Sequence, residues 1–282
     1  MRLKFIDTVM HRYNKEVKQQ DFQEIVWEQG QRLYREMPWR QDTQPYYVLV
    51  SELMLQQTQV ERVMPKFEEF ITHFPDVASL ATASLSEVIG LWSGLGYNRR
   101  AKYLHEAAKR VVGAFEGDFP NSLPDLLSLP GVGPGTAGAL MVYAYNQPCV
   151  FIETNVRTVY FYHFFASDVV ISDTELRPLI ENTLNREHPR EFYWALMDYG
   201  SWLKRQGAGR LTQSRHYRKQ TPLKGSVREV RGQILKALTS GELTLIDLRM
   251  RVTYDQRFNV AIEGLLADRL ISQTGSVLYL TK

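Results

Sequence analysis

Two glutamates and one glycine-rich loop carry the residue types that could do chemistry. Glu52 is the one acid in the apolar stretch Tyr46–Val60. Burial raises a carboxyl pKa, so a glutamate in such a setting can stay protonated near neutral pH and act as a general acid. A capping or salt-bridged glutamate fits the same pattern. Glu153 stands in Phe151-Ile-Glu-Thr-Asn-Val-Arg157, close to Asn155. Upstream runs Leu129-Pro-Gly-Val-Gly-Pro-Gly-Thr136. Gly131, Gly133 and Gly135 are expected to let a tight loop form between two helices, because glycine enters φ > 0 without steric cost. Thr136-Ala-Gly-Ala139 is expected to open a helix whose unpaired first amides suit an anion. A plain turn between packed helices uses the same glycines. A phosphate-gripping loop followed by a poised carboxylate points to chemistry on a nucleic-acid strand.

The elements that must position these residues are helical. Apolar residues recur at helical spacing through most of residues 20–200, and the pattern predicts an all-α core. Helices are expected near 22–37, 47–55, 61–73, 85–92, 99–115, 122–128, 135–145, 154–166, 174–187 and 190–204, with breaks at Pro75, Gly94-Leu95-Gly96, Pro120, Pro130 and Pro148. Composition shifts near Lys204. From there to Arg231 stand Lys204, Arg205, Arg210, Arg215, Arg218, Lys219, Lys224, Arg228 and Arg231, opposed only by Glu229. Residues 204–225 read as a basic linker that meets phosphates, with a solvated tether as the alternative. Residues 226–282 read as a small separate domain: helices around Val227–Leu238, Leu243–Val252 and Phe258–Leu266, then a hairpin turning at Thr274-Gly275. That order is winged-helix-like.

Composition sets wide bounds. Hydrophobic residues make up 44% and charged residues 23%, and the net charge is +3. This is ordinary for a soluble globular chain and compatible with nucleic-acid binding. The start, Met-Arg-Leu-Lys-Phe-Ile-Asp, has no signal-peptide pattern and no long apolar run follows, so the expectation is a cytoplasmic protein without a membrane partner, nucleoid-associated if bacterial. The single cysteine, Cys149, reads as a small buried hydrophobe and cannot cage a metal alone.

The 129–159 segment resembles the helix-hairpin-helix base-excision DNA glycosylases. The likeness narrows with Pro38-Trp-Arg40, Ser51-Glu-Leu-Met-Leu-Gln-Gln-Thr-Gln-Val60, Leu91-Trp-Ser-Gly-Leu-Gly-Tyr97, Arg100-Ala-Lys-Tyr-Leu-His105, Leu129-Pro-Gly-Val-Gly133 and Ala195-Leu-Met-Asp-Tyr-Gly200. In this order they are similar to the MutY-type adenine DNA glycosylases, over about residues 30–203. The resemblance implies two helical subdomains, a helical barrel at about 41–145 and a second from 1–40 and 146–203, with the active site between them. It implies that Glu52 protonates the leaving adenine, that Glu153 stabilises the sugar oxocarbenium ion or captures it covalently, and that Asn155 supports that acid. It assigns Gln57 and Tyr97 to the base stack, Arg40 and Asp198 to the base pocket, and Gly131, Val132, Gly133, Gly135 and Thr136 to the phosphate-gripping hairpin, whose carbonyls take Na⁺ or K⁺. The partner implied is double-stranded DNA with a mispaired or damaged base, bound by a monomer.

Several departures qualify the resemblance. Bifunctional members carry a hairpin lysine where this chain has Gly135, which implies simple hydrolysis. Glu153 replaces an aspartate. The cysteines of an iron–sulfur cluster are absent, with Lys204 where the first is expected, so no cofactor is expected beyond the monovalent cation. The last residues are too few for an 8-oxoguanine-recognition domain. The leading expectation is adenine excision opposite guanine or 8-oxoguanine. The alternatives are a thymine or uracil mismatch glycosylase, and a lesion-binding protein with impaired catalysis.

Overall fold

The computed structural model describes residues 19–165, 170–215, 217 and 221–281. Helices dominate, and the strands among the described residues form one small sheet. The chain divides into two compact units, residues 1–36 with 137–219 and residues 37–136 with 220–282.

In the first unit the helix Gln19–Leu33 packs on Pro189–Arg205 and on Asp173–Thr183, and Thr154–Phe164 also packs on Pro189–Arg205. Gly30 permits the first of these approaches, since a Cβ there would strike Ala195. The core is aromatic. The Phe22 ring lies 4.8 Å from Phe164 and 5.0 Å from Tyr160, and Phe151 stacks on Tyr193 at 4.2 Å. Each such pair contributes about 0.5–1.5 kcal/mol beyond its buried area. Asp173–Thr183 begins with a capping box: the Ser172 hydroxyl accepts from the Glu175 amide, and the Glu175 carboxylate accepts from the Ser172 amide.

The expected linker begins inside a helix, because Pro189–Arg205 continues through Lys204 and Arg205. The segment that follows is fastened. The Ile171 amide donates to the Gln213 carbonyl at 2.8 Å, and the Arg215 amide to the Ile171 carbonyl at 3.0 Å. They make a parallel bridge between Ile171 and Ser214.

The second unit holds helices Pro45–Leu55, Val60–His73, Val77–Thr82, Leu85–Trp92 and Arg99–Ala114. Val77–Thr82 escaped the periodicity because it is so short. Its start is nevertheless written in a capping box between Asp76 and Ser79. Phe67 meets Trp39 and Tyr47 edge-on, and Phe70 meets Trp92.

Residues 226–282 do not stand apart within this unit. Val230, Ile234, Phe258, Leu265, Leu278 and Leu280 share one buried cluster with Leu85 and Ile89. The segment folds as helices Val227–Leu238, Leu245–Arg251 and Gln256–Ala267 and strands β1 (Leu243–Thr244), β2 (Ile271–Thr274) and β3 (Val277–Leu280). The hairpin lies where the glycine turn predicts it, with Gly275 at φ +58°. β1 was read as the start of a helix; it pairs antiparallel with β3 and completes a sheet of order β1-β3-β2. No helix among the described residues is long and apolar enough to cross a membrane.

Candidate functional site

The hairpin is anchored by two apolar side chains, Leu129 and Val132, both buried, and turned by the Val132 amide donating to the Leu129 carbonyl at 3.1 Å. Its glycines differ from expectation. Only Gly131 has positive φ, +76°, and a Cβ there would lie 2.6 Å from Tyr103 Cβ. Gly133 and Gly135 have no positive φ, and a Cβ on either would meet nothing within 4 Å. They are therefore not demanded by the turn. They leave the backbone bare toward open space, which is what close approach of a ligand to main-chain amides requires. The helix opens two residues earlier than expected, at Pro134. Proline suits the first helical position, where the missing N–H has no helical partner to lose. Thr136 is buried, and its hydroxyl accepts a long 3.5 Å bond from Gln56 Nε2.

Arg100 organises the rest of this unit's candidate surface, a role that the sequence did not reveal although the residue opens the Arg100–His105 motif. Its Nη1 donates to the carbonyls of Leu53 (2.6 Å), Met54 (2.8 Å) and Gln56 (2.6 Å). Its Nη2 donates to Thr58 Oγ1 (3.1 Å), Leu95 O (3.4 Å) and Gly96 O (2.8 Å), and its Nε to Tyr97 O (3.3 Å). The carbonyls at the end of Pro45–Leu55 have no helical donor, and one guanidinium collects them together with those of the 93–98 loop. Burial lowers the Arg100 pKa to about 10, so it stays cationic at neutral pH. The two residues assigned to the base stack, Gln57 and Tyr97, both have left-handed backbones, with φ +57° and +48°. For non-glycine residues this costs on the order of 1–3 kcal/mol each and persists only where neighbours enforce it. Arg100 does so for both loops.

Glu52 lies on Pro45–Leu55 between buried Ser51 and Leu53 and is itself half-buried, less enclosed than the apolar stretch suggests. Arg40, on Pro38–Gln41, is 7% exposed.

In the first unit Glu153 occupies the N-cap position of Thr154–Phe164, yet its side chain makes no capping hydrogen bond. It is therefore not spent on closing the helix start. Burial pushes its carboxyl above the usual range, and Arg157 and then Lys204 pull it back. Glu153 was expected to be a simple ionised partner; here burial opposes that charge and two cations support it. Arg157 is itself held by Asp173, with Nε to Oδ1 at 2.7 Å and Nη2 to Oδ2 at 2.6 Å. Burial, then Arg35, lowers the Lys204 pKa, and Glu153 raises it. Asn155 leaves its buried Oδ1 without a hydrogen-bond partner, and its carbonyl sits where a Cβ on Gly200 would clash. Asp198, expected in the base pocket, is 1% exposed and is held by Arg35, whose Nε donates to Oδ1 at 2.6 Å and whose amide donates to Oδ2 at 3.2 Å. That is an internal ion pair.

The basic run is less free than its composition implies. Arg210 donates from Nη1 to Phe165 O at 2.9 Å and lies 5.6 Å over Tyr162, so it closes the end of Thr154–Phe164 instead of standing open to phosphate. Arg231 pairs with Asp268 at 2.5 Å, and Arg228 reaches Tyr97. Arg205, Arg215 and Lys224 are exposed. Arg218 and Lys219 lie outside the described residues.

Among the described residues no group of three or more His, Cys, Asp or Glu could hold a metal ion. An iron–sulfur cluster ligated by four thiolates does not fit a sequence with one cysteine. Cys149 is half-buried and not the fully buried residue expected; partial burial still raises its thiol pKa, which suits a packing role over a nucleophilic one.

Residues 50–184 match the HhH-GPD superfamily base excision DNA repair protein family. The chain is 32% identical over 270 residues to an adenine DNA glycosylase of Mycobacterium tuberculosis, covering 86% of this chain and 88% of that protein. It is 34% identical over 169 residues to an adenine DNA glycosylase of Buchnera aphidicola, covering 58% of this chain and 47% of that one. Among solved structures, a thermostable thymine-DNA glycosylase superposes with a TM-score of 0.58 at 24% identity, over 65% of this chain and 86% of that chain. A trapped endonuclease III–DNA covalent intermediate gives 0.53 at 16%, over 73% and 91%. The chain belongs to the HhH-GPD superfamily of base-excision DNA repair proteins, in the branch of the MutY-type adenine DNA glycosylases.

Proposed function

We propose that this chain binds duplex DNA as a monomer and hydrolyses the N-glycosidic bond of adenine mispaired with guanine or 8-oxoguanine. The observation that carries the reading is that one matched stretch, residues 50–184, contains Glu52, the hairpin and Glu153 together. The chemistry asks for those groups. Adenine departs only if a ring nitrogen is protonated as the C1′–N9 bond breaks, and the cationic sugar left behind needs an anion. Glu52 supplies the proton. Glu153 supplies the anion, its charge supported by Arg157 and Lys204 against burial. Water then adds to C1′, since Gly135 offers no amine. Gln57 and Tyr97 fill the gap left by the extruded base. The bare backbone at Gly133 and Gly135 approaches phosphate, with Na⁺ or K⁺ at the hairpin carbonyls and no other cofactor.

Duplexes each carrying one mispair, incubated with the protein and treated with alkali, test this. Strand cleavage at adenine that is lost in Glu52→Gln and Glu153→Gln supports it. Cleavage at thymine or uracil opposite guanine reassigns the substrate, and binding with no cleavage at any mispair overturns the catalytic reading.

A further inference from the structure

Arg228 belongs by sequence to the basic run expected to meet phosphate, yet its guanidinium is committed elsewhere. Its carbon lies 4.9 Å from the Tyr97 ring centroid, and its Nη1 donates to the Tyr97 hydroxyl. Its Nη2 donates to the Thr221 carbonyl at 2.6 Å. The guanidinium carbon of Arg100 lies 5.6 Å from the same ring and 5.4 Å from Trp92. Two arginines thus meet at Tyr97: Arg100 takes the loop's carbonyls, and Arg228 takes the hydroxyl and contacts the ring.

The helix that carries Arg228 gains nothing from it. Arg228 is the second residue of Val227–Leu238, and a cation in the first turn opposes the positive end of the helix dipole. Partners beyond that helix, Tyr97 and Thr221, account for the contact. Tyr97 also has a left-handed backbone, and its ring carries no direction of its own unless something fixes it.

We infer that Arg228 is a positioning residue for Tyr97: it presets the ring for entry into the base stack and so couples the C-terminal helices to base extrusion. This rests on the proposed role of Tyr97. Ordering a side chain before binding removes that cost from the encounter, a factor of roughly 2 to 12 per side chain.

The test uses the full chain and a duplex with 2-aminopurine beside a single adenine–guanine mispair, with stopped-flow fluorescence reporting unstacking. Arg228→Met should slow unstacking roughly three- to tenfold, while the salt slope of binding to undamaged duplex stays unchanged. Tyr97→Phe removes the hydroxyl and keeps the ring, and the double variant should be no slower than Arg228→Met alone. Arg228→Lys, which restores a donor and a cation, should recover part of the rate. A salt slope reduced by about 0.9 with unstacking intact would make Arg228 a phosphate contact and overturn the inference. Independent, multiplying effects of Arg228→Met and Tyr97→Phe would overturn it too. If Tyr97→Ala leaves unstacking unchanged, the role of Tyr97 itself fails, whatever Arg228 does. Thermal midpoints of all variants separate a folding defect from a slowed step.

Discussion

Replacing Arg100 by methionine removes the hub while keeping much of its aliphatic bulk. Three of its acceptors, the carbonyls of Leu53, Met54 and Leu95, are buried. A buried carbonyl left without a donor costs about 1–3 kcal/mol. The low end for all three gives about 3 kcal/mol, a large share of the roughly 5–15 kcal/mol typical of a whole domain. At about 2–4 °C per kcal/mol for a unit of this size, the midpoint should fall by roughly 6–12 °C. Arg100→Lys keeps a charge and up to three donors in place of the planar fork, so it should recover only part of the loss. Thermal and urea unfolding of both variants measure this. Because the same guanidinium holds the loops bearing Gln57 and Tyr97, mispair unstacking should fall further than stability alone accounts for, even well below the midpoint. An Arg100→Met midpoint within about 2 °C of wild type would refute the hub, as would a lysine variant indistinguishable from the parent.

The hairpin glycines should separate. Gly131→Ala should lower the thermal midpoint through its positive φ and the Tyr103 contact, whereas Gly133→Ala should leave the midpoint in place and weaken duplex binding; equal midpoints would refute the distinction. Arg210→Gln should lower stability with an unchanged salt slope of DNA binding, and Arg215→Gln should lower that slope by about 0.9 with stability unchanged. Glu153→Gln should raise the midpoint at neutral pH, because burial raises the folded-state pKa above the usual carboxylate range. The sign follows from proton binding. The folded state holds the proton more tightly, so stability is fully present below the unfolded-state pKa and is lost as pH rises through the folded one. The advantage of glutamine should therefore vanish in acid; an advantage that persists unchanged there refutes the cause.

Helix positions were readable because apolar residues at helical spacing and proline breaks are local signals. Leu85–Trp92, for example, lies where the pattern places it. β1 was not, because two residues show no alternation and their partner is β3, far along the chain. Residue type nominated Glu52, Glu153 and the hairpin. It could not say which glycine a turn needs, since Gly131 differs from Gly133 by its positive φ and by the nearness of Tyr103, neither of which residue type reveals. Composition likewise counted Arg210 and Arg228 as free charge, while the fold spends both on carbonyls and on a tyrosine hydroxyl. Arg100 looked like any helical arginine; its carbonyl partners at Leu53, Met54 and Gln56 lie more than forty positions away.

The sheet order β1-β3-β2 has a consequence for synthesis on the ribosome. The middle strand, β3, is the last of the three to emerge, and its Leu278 and Leu280 complete a cluster with Leu85 and Ile89. The nascent chain therefore makes Leu85 and Ile89 early in translation and cannot complete their cluster until almost two hundred further residues have been made. At bacterial or eukaryotic elongation rates of roughly 5–20 residues per second the cluster stays incomplete for about 10–40 seconds. A stop or cleavage before Val277 would leave β1 and β2 without a shared neighbour and the cluster without Leu278 and Leu280, which makes such fragments natural clients of chaperones and proteases.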